Sequence, residues 1–311
     1  MAPFFVCASR SAHMTNQAPY IGRFAPSPSG PLHMGSLVCA LASYLDARSH
    51  NGTWLVRMED IDPPREQAGA ADLILSCLQK HGLQWDDSDV MFQSTRAQAY
   101  NQTLSSLRES ALIYPCRCTR KRLNTLNGRY DGYCKAHPAT SPAALRLDLE
   151  GAKAKGVPLQ QAFCDGLQGE QYEDLAQQGD FVIHRKDGLF AYQLAVVVDD
   201  IAQNITHVVR GSDLLDTTAR QRALMQLLGH QPPQYSHIPV LVDANGNKLS
   251  KQNHAPAVEF DTPTHNLIDA LTLLGFHTAA LTPATSTSSI LHWAIPRWAN
   301  VATTLQGRLS L

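Results

Sequence analysis

The sequence predicts an α/β fold with a parallel sheet that is interrupted by an insertion. Residues 20–25 form a short apolar strand pattern, and a proline- and glycine-rich turn leads from it into a helix with an i, i+4, i+8 apolar face. The next strand pattern, at residues 54–58, completes the opening of a βαβ unit. Strands and helices alternate again after residue 181, which favours a parallel sheet with a ligand at the carboxyl ends of its strands.

The remaining elements follow from the same periodicities. Residues 116–137 concentrate cysteines and basic residues with little periodicity, which indicates an insertion. A hairpin at residues 181–190 would return the chain to the main body, and a helix would end at residues 199–204. The other expected helices are 66–81, 96–110, 214–228 and 267–274, and the other expected strands are 207–210 and 237–242.

Composition narrows the possible classes of protein. The 311 residues are 44% apolar, which supports a sizeable core, and the net charge of −1 gives no global basic field that would attract nucleic acid. Seven cysteines, an odd number, suit a reducing cytoplasm better than a disulfide framework. No run of about eighteen apolar residues occurs, so we expect no membrane span and a cytoplasmic location.

Two distant segments have the chemistry that a nucleoside triphosphate needs. Residues 23–36, RFAPSPSGPLHMGS, break a strand, present His33 and open a helix at about Gly35, where a ligand could approach the backbone amides. Residues 248–252, KLSKQ, place Lys248 and Lys251 on a loop, where movable cations could meet the charge of a transition state. Alone, the first would be a capping histidine and the second a solvated turn. No Walker A pattern occurs.

These segments carry a family resemblance. His33-Met-Gly resembles the HIGH element of class I aminoacyl-tRNA synthetases, and KLSKQ resembles their KMSKS element with Gln252 in place of the final serine. RFAPSPSGPLHMGS and residues 56–66, VRMEDIDPPRE, are specifically similar to the glutamyl branch. The resemblance runs from about Tyr20 to Lys251. It implies a Rossmann-type (HUP-like) catalytic domain that forms glutamyl-adenylate from L-glutamate and ATP with Mg²⁺.

The resemblance also implies roles for individual residues. His33, Lys248 and Lys251 would be catalytic, and His33, Gly35 and Lys251 would bind ATP. Glutamate has two carboxylates and one ammonium group, so its site needs two cationic groups and one anionic group. Arg23, Glu59 and Arg210 stand at the ends of predicted strands, where one crevice could collect them. The complete implied glutamate site is Arg23, Phe24, Ala25, Pro26, Ser27, Glu59, Tyr192 and Arg210.

Two of those assignments have ordinary alternatives. Tyr192 lies in an apolar segment, where a tyrosine is more often a core residue. Glu59 and its neighbour Asp60 could instead form a surface pair that caps a strand. The family resemblance favours the substrate role for both Tyr192 and Glu59.

Cys116, Cys118 and Cys134 have the spacing of metal ligands, although free thiols in a loop would have the same pattern. Ligand preference alone nominates His137 as a fourth ligand, whereas the resemblance implies Tyr130 and one structural zinc ion. Nearby cations could form a patch for RNA or simply a solvated loop. They are Arg117, Arg120, Lys121, Arg122 and Arg129.

The expected organisation has five parts. Residues 1–19 would be a disordered extension or an artefact of an upstream start codon, since Met14 could be the true start. The catalytic domain would comprise residues 20–113 and 181–255, with a zinc-containing insertion at 114–180 and a short helical region at 256–311.

The region at 256–311 is too short for the anticodon-reading domains of full synthetases. The resemblance therefore implies one of the shortened members of the glutamyl branch, which transfer glutamate to queuosine at the wobble position of tRNA(Asp). We also expect a monomer. Other readings are an enzyme that charges the 3′ end of tRNA(Glu), a related nucleotidyltransferase, or a catalytically silent RNA-binding module.

Overall fold

The α/β prediction is confirmed by the computed structural model, which describes residues 19–126, 129–140, 142–242 and 256–305. A five-stranded sheet in the order β10-β9-β1-β2-β3 forms the centre, and each of its described pairings is parallel. Its strands are β1 (Ile21–Phe24), β2 (Thr53–Met58), β3 (Met91–Phe92), β9 (His207–Gly211) and β10 (Gln234–Ile238).

Residues 113–184 form two smaller antiparallel sheets, in the orders β4-β5-β8 and β6-β7. The expected hairpin over 181–190 is reduced to β8 and an isolated bridge between His184 and Phe190. The strands are β4 (Ile113–Cys116), β5 (Ala144–Leu147), β6 (Gln160–Asp165), β7 (Gly169–Asp174) and β8 (Val182–His184).

Helices alternate with the strands and continue into the carboxyl-terminal region. The helices before residue 180 are α1 (Met34–Ser49), α2 (Ala70–Lys80), α3 (Ala97–Glu109), α4 (Arg120–Thr125), α5 (Tyr133–Ala136), α6 (Leu149–Ala154) and α7 (Leu175–Gln178). The later ones are α8 (Tyr192–Ala202), α9 (Thr218–Leu227), α10 (Pro263–Leu273), α11 (Thr287–Ala294) and α12 (Trp298–Thr304).

Two of the element boundaries that differ from the sequence expectation have local explanations. The helix expected from residue 66 begins at Ala70, because Pro63–Arg65 forms a 3₁₀ turn and Gly69 adopts a left-handed φ of 75°. The last strand of the sheet is β10, several residues earlier than expected, because its pairing with β9 begins at Gln234.

The carboxyl-terminal helices share the core of the sheet. Buried Trp298 donates from Nε1 to Asp46 Oδ1 over 2.8 Å, and Tyr20 donates to the other oxygen of the same carboxylate over 2.5 Å. Asp46 therefore joins α12, α1 and the start of β1 through one buried acceptor. Among the described residues, no helix is both long and apolar enough to cross a membrane.

Candidate active site

The carboxyl edge of the central sheet collects the residues that the sequence nominated for an amino-acid site. Arg23 lies near the end of β1, Glu59 directly follows β2, and Arg210 lies near the end of β9. Tyr192 begins α8, and its hydroxyl group lies 3.5 Å from Arg210 Nη1. The parallel pairing of the strands produces this convergence, because it brings their carboxyl ends to one edge.

A buried carboxylate on α8, that of Asp200, orients two arginine side chains at this edge. Asp200 accepts hydrogen bonds from Arg23 Nε at 3.1 Å and from Arg57 Nη2 at 2.7 Å. Burial alone would raise the pKa of Asp200, but the two guanidinium groups hold it below its ordinary value. Asp200 is therefore an anion that orients both arginines.

Glu59 has less compensation for its charge. Its carboxylate is 9% exposed and lies 3.7 Å from Arg57 Nη2, while the Arg57 guanidinium makes its shorter contact with Asp200. Burial raises the pKa of Glu59 to about 7, against the opposing influence of Arg57 and Arg23. An ammonium group placed beside Glu59 would supply the missing partner.

The capping alternative fits Asp60 and does not fit Glu59. Asp60 accepts hydrogen bonds from the backbone nitrogen and the hydroxyl group of Ser94, and so secures the turn after β3. The Glu59 backbone nitrogen donates to the Pro26 carbonyl oxygen over 2.9 Å. This bond links the segments that directly follow β1 and β2. The Glu59 side chain remains beside Arg57, inside the edge.

Arg210 is a buried cation surrounded by neutral acceptors. Its residue is 4% exposed, and its guanidinium donates to Gln221, Thr218 and the Leu214 carbonyl group at 2.8, 2.8 and 3.3 Å. Its Nε donates to His237 Nε2 over 3.0 Å. No carboxylate in the described part of the chain forms an ion pair with Arg210, so an anionic ligand would find an uncompensated guanidinium there.

The charges of the edge form a simple balance. Arg23, Arg57 and Arg210 are cationic, while Asp200 and ionised Glu59 are anionic, which leaves one positive charge in excess. An amino acid with two carboxylates and one ammonium group carries one negative charge. The edge therefore complements glutamate better than its neutral amide, glutamine.

The histidine turn that the sequence nominated for phosphate binding lies beside this edge. His33 caps α1, with Nδ1 3.3 Å from the Ser36 backbone nitrogen and Nε2 2.9 Å from the Ser36 hydroxyl group, and Gly35 lies in the first turn of the helix. This helix amino terminus could present backbone amides to a phosphate. Gly30 holds a φ of 135° in the preceding turn, a conformation that favours glycine.

The structure describes the flanks of the lysine segment. Lys248 and Lys251 lie outside the described residues, as do residues 1–18 of the expected extension. After the segment, Ala257 forms an isolated bridge with His33, and Val258 N donates to Leu32 O over 2.8 Å. The chain that follows the two lysines is thus tied to the histidine turn.

The other residues implied as glutamate contacts, at 24–27, differ in how far they are buried. Phe24 is 6% exposed and stacks with Trp54 at a centroid distance of 6.5 Å, so its side chain belongs to the core. Ala25 and Pro26 are half-buried, and Ser27 is exposed at the start of the turn. A contact from Phe24 to a substrate would therefore use its backbone.

A separate cluster of thiols lies between residues 116 and 134. The sulfur atoms of Cys116, Cys118 and Cys134 lie within 4.8 Å of one another, and two of them, on Cys118 and Cys134, are 3.4 Å apart. Cys116 and Cys134 are buried. Such a set fits a soft divalent cation such as zinc, which prefers thiolate ligands in tetrahedral geometry.

The two candidate fourth donors, Tyr130 and His137, differ in their surroundings. The Tyr130 hydroxyl group accepts from Cys134 N over 2.8 Å, and its ring packs in the same buried cluster. His137 is not part of the sulfur cluster, and its Nδ1 lies 3.0 Å from the Tyr133 carbonyl oxygen. Arg146 Nε lies 3.2 Å from Cys116 Sγ, where its charge would balance an anionic thiolate site.

The basic residues around this cluster are not equivalent. Arg122 forms an ion pair with Asp131 over 2.6 Å, and Arg129 Nη2 lies 3.5 Å from the Ala176 carbonyl oxygen. Arg117, Arg120 and Lys121 are exposed. A phosphate backbone would meet these three more readily than Arg122, which already has a carboxylate partner.

Comparisons with known proteins show the family to which the chain belongs. Residues 21–292 match the family described as tRNA synthetases class I (E and Q), catalytic domain. Glutamyl-Q tRNA(Asp) synthetase of Cronobacter sakazakii is 50% identical over 90% of this chain and 92% of that protein. The chain belongs to the glutamyl-Q tRNA(Asp) synthetase family. The Escherichia coli K12 member is also 50% identical, over 90% of this chain and 89% of its own length.

Solved structures outside the glutamyl-Q tRNA(Asp) synthetase family share the fold. A glutamate tRNA ligase from Elizabethkingia meningosepticum, determined with its amino acid, superposes with a TM-score of 0.71 at 22% identity over 88% of this chain. Glutamate-tRNA synthetase from Elizabethkingia anophelis gives the same three values. The chain spans 64% and 65% of the lengths of these two proteins. The class I synthetases use ATP.

Several residues of the site escaped the sequence analysis. Arg57 and Asp200 lie within apolar segments, TWLVRM and YQLAVVVDDIA, where a charged side chain is a signal of a buried ion pair. Gln221 and His237 are polar residues that no sequence pattern singled out. Each forms a hydrogen bond with Arg210, and only the tertiary structure brings these residues together.

Proposed function

We propose that the chain activates L-glutamate with ATP and transfers the glutamyl group to queuosine at the wobble position of tRNA(Asp). The observation that carries the first step is the buried Arg210 guanidinium, which has neutral partners and faces the same edge as Arg23 and Glu59. The choice of acceptor rests on the relatives named glutamyl-Q tRNA(Asp) synthetase, which are about half identical along most of the chain.

In the proposed binding mode, Arg210 and the Tyr192 hydroxyl group hold the side-chain carboxylate of glutamate. Glu59 accepts from the ammonium group, and Arg23 faces the α-carboxylate. Arg57 and Asp200 keep Glu59 and Arg23 in position through their buried contacts. This arrangement gives each charged group of the amino acid an opposite charge.

In the first chemical step, an α-carboxylate oxygen attacks the α-phosphorus of ATP and pyrophosphate leaves, which forms glutamyl-adenylate. His33, Lys248 and Lys251 would stabilise the charge that develops on the phosphate oxygens. The amides near Gly35 would bind phosphate. Mg²⁺ would accompany ATP and neutralise part of its charge.

In the second step, a hydroxyl group of the queuosine cyclopentenediol attacks the glutamyl carbonyl carbon, and AMP leaves. The exposed cations Arg117, Arg120 and Lys121 offer a place for the RNA backbone to dock. Cys116, Cys118, Cys134 and Tyr130 would hold one zinc ion, which would fix the loop that presents these cations. We propose that the enzyme acts as a monomer.

The test is transfer of radiolabelled glutamate to purified RNA acceptors. We expect labelling of queuosine-containing tRNA(Asp), including tRNA from which the 3′-terminal adenosine has been removed. Queuosine-lacking tRNA(Asp) and tRNA(Glu) should remain unlabelled. Labelling of tRNA(Glu) that disappears when its terminal adenosine is removed would instead establish an enzyme that charges the 3′ end.

A further inference from the structure

A buried chain of hydrogen bonds reaches Arg210 from the inserted segment. His237, the fourth residue of β10, lies between Arg210 and Asp165, which ends β6. Arg210 Nε donates to His237 Nε2 over 3.0 Å, and the other ring nitrogen, Nδ1, lies 2.5 Å from Asp165 Oδ2. None of the three residues is more than 4% exposed.

The donors and acceptors in this chain fix the protonation of the imidazole. A guanidinium Nε can only donate, so His237 Nε2 must accept and carries no proton. Nδ1 must then carry the proton and donate it to the Asp165 carboxylate. Burial lowers the pKa of His237, although Asp165 opposes this, and the neutral ring agrees with the geometry.

Asp165 is itself held rigidly by backbone donors. Its Oδ1 accepts from the backbone nitrogens of His237, Leu167 and Gln168 at 3.0, 3.0 and 2.9 Å, which leaves Oδ2 for the imidazole. The turn between β6 and β7 is therefore attached to β10 in one orientation. The Gln168 side chain adds a separate link by donating to the His237 carbonyl oxygen over 2.8 Å.

We propose that Asp165 and His237 are positioning residues: Asp165 sets the tautomer of His237, which in turn sets the orientation of Arg210 and so determines selection of a carboxylate side chain over its amide. This rests on the proposed role of Arg210 in binding glutamate. Nε is held by His237, and the Nη atoms donate to Gln221, Thr218 and the Leu214 carbonyl group. The guanidinium is therefore aimed in a fixed direction, with Nη1 beside the Tyr192 hydroxyl group. A carboxylate placed beside Nη1 would accept a charge-assisted hydrogen bond and balance the guanidinium charge, whereas a neutral amide would not balance it.

The decisive variant is Asp165→Asn, which changes donor chemistry with little change in shape. The introduced amide could keep its oxygen on the three backbone nitrogens, and its NH₂ group would then face His237 Nδ1. The imidazole would have to accept at Nδ1 and carry its proton on Nε2, opposite the Arg210 Nε–H group. Two donors would then face each other, and Arg210 would turn away.

The measurement is ATP–pyrophosphate exchange with glutamate and with glutamine. We expect Asp165→Asn to raise KM for glutamate by roughly 10-fold or more and to lower the preference for glutamate over glutamine by a similar factor, with kcat and KM for ATP changed far less. Gln168→Ala is the matched control, because it removes a link between the same turn and β10 without touching the imidazole.

His237→Gln and His237→Leu form a second, independent pair. The amide group of glutamine can offer an oxygen to Arg210 Nε, whereas leucine cannot, so glutamine should restore part of the preference for glutamate that leucine loses. Equal preferences in these two variants, or equal effects of Asp165→Asn and Gln168→Ala, would overturn the proposal. Wild-type protein without glutamate-dependent exchange would instead contradict the proposed function itself.

Discussion

The Arg57 guanidinium lies 3.7 Å from the Glu59 carboxylate, beyond hydrogen-bond distance although both side chains are largely buried. Arg57 makes its short contact with Asp200, at 2.7 Å. Glu59 is therefore a buried carboxylate whose charge is only partly balanced, and burial raises its pKa to about 7. An amino-acid ammonium group would bind most strongly to its ionised form.

This relationship predicts a pH dependence of glutamate activation. The free protein must lose a proton from Glu59 to bind the ammonium group, so kcat/KM for glutamate should fall as the pH drops below about 7, by up to tenfold per pH unit. Pyrophosphate exchange between about pH 5.5 and 8.5 measures it. Glu59→Gln should be less active, and its kcat/KM should not fall in this way as the pH drops. The same fall in that variant would assign the titration to another group.

Glu59 also predicts a change in stability. A carboxyl group with a raised pKa destabilises the fold where it is ionised, so Glu59→Gln should raise the free energy of unfolding at about pH 8 by about 1–3 kcal/mol. The gain should shrink as the pH falls through about 7, because the wild-type carboxyl group then becomes neutral. Urea unfolding at about pH 8 and pH 5 measures both values. A larger gain under the acidic condition than under the alkaline one would contradict the assignment.

Arg210 should control the choice between glutamate and glutamine. Arg210→Ala removes the one guanidinium of the edge that lacks a carboxylate partner among the described residues, so the ratio of kcat/KM for the two amino acids should fall by roughly 100-fold. Arg210→Lys keeps the charge but not the planar fork and should recover only part of the ratio. An unchanged ratio in Arg210→Ala would rule out contact with the side-chain carboxylate.

The thiol cluster predicts one zinc ion per chain. Cys134→Ser should lose the ion and make residues 114–138 more susceptible to proteolysis, while Cys39→Ser, on α1, should keep it. Metal analysis of the purified variants decides this, and wild-type protein without zinc would refute the site.

The fourth ligand has its own test. Tyr130→Phe should weaken zinc binding at least about tenfold, whereas His137→Ala should not, because the Tyr130 hydroxyl group lies at the Cys134 backbone and His137 lies outside the sulfur cluster. Competition with a chromogenic chelator measures the affinities. The reverse ranking would make His137 the ligand.

His33→Ala and Lys251→Ala should each lower adenylate formation by roughly 100-fold, as expected when a donor to the transition state is lost. Ser36→Ala removes the hydroxyl group that lies 2.9 Å from His33 Nε2 and should have a smaller effect. Pyrophosphate exchange at saturating glutamate measures all three. Wild-type rates in His33→Ala and Lys251→Ala would refute their assigned roles.

The α/β class and the convergence of Arg23, Glu59 and Arg210 could be predicted from the sequence. Each of these residues stands at the end of an apolar strand pattern, and parallel strands bring such ends together whatever the details of packing. The thiol cluster could also be predicted, because cysteines that bind one ion are often closely spaced along the chain.

The sequence by itself thus determined the order of the elements, the candidate charges and the thiol cluster, since these depend on local patterns. Tertiary structure decided the partners: Asp200 joins Arg23 to Arg57, and Asp165 reaches Arg210 through His237. These contacts connect residues far apart along the chain and depend on strand register and on burial. Burial sets the pKa of each group and the energy of each charge–charge interaction, and burial cannot be deduced from a local sequence pattern.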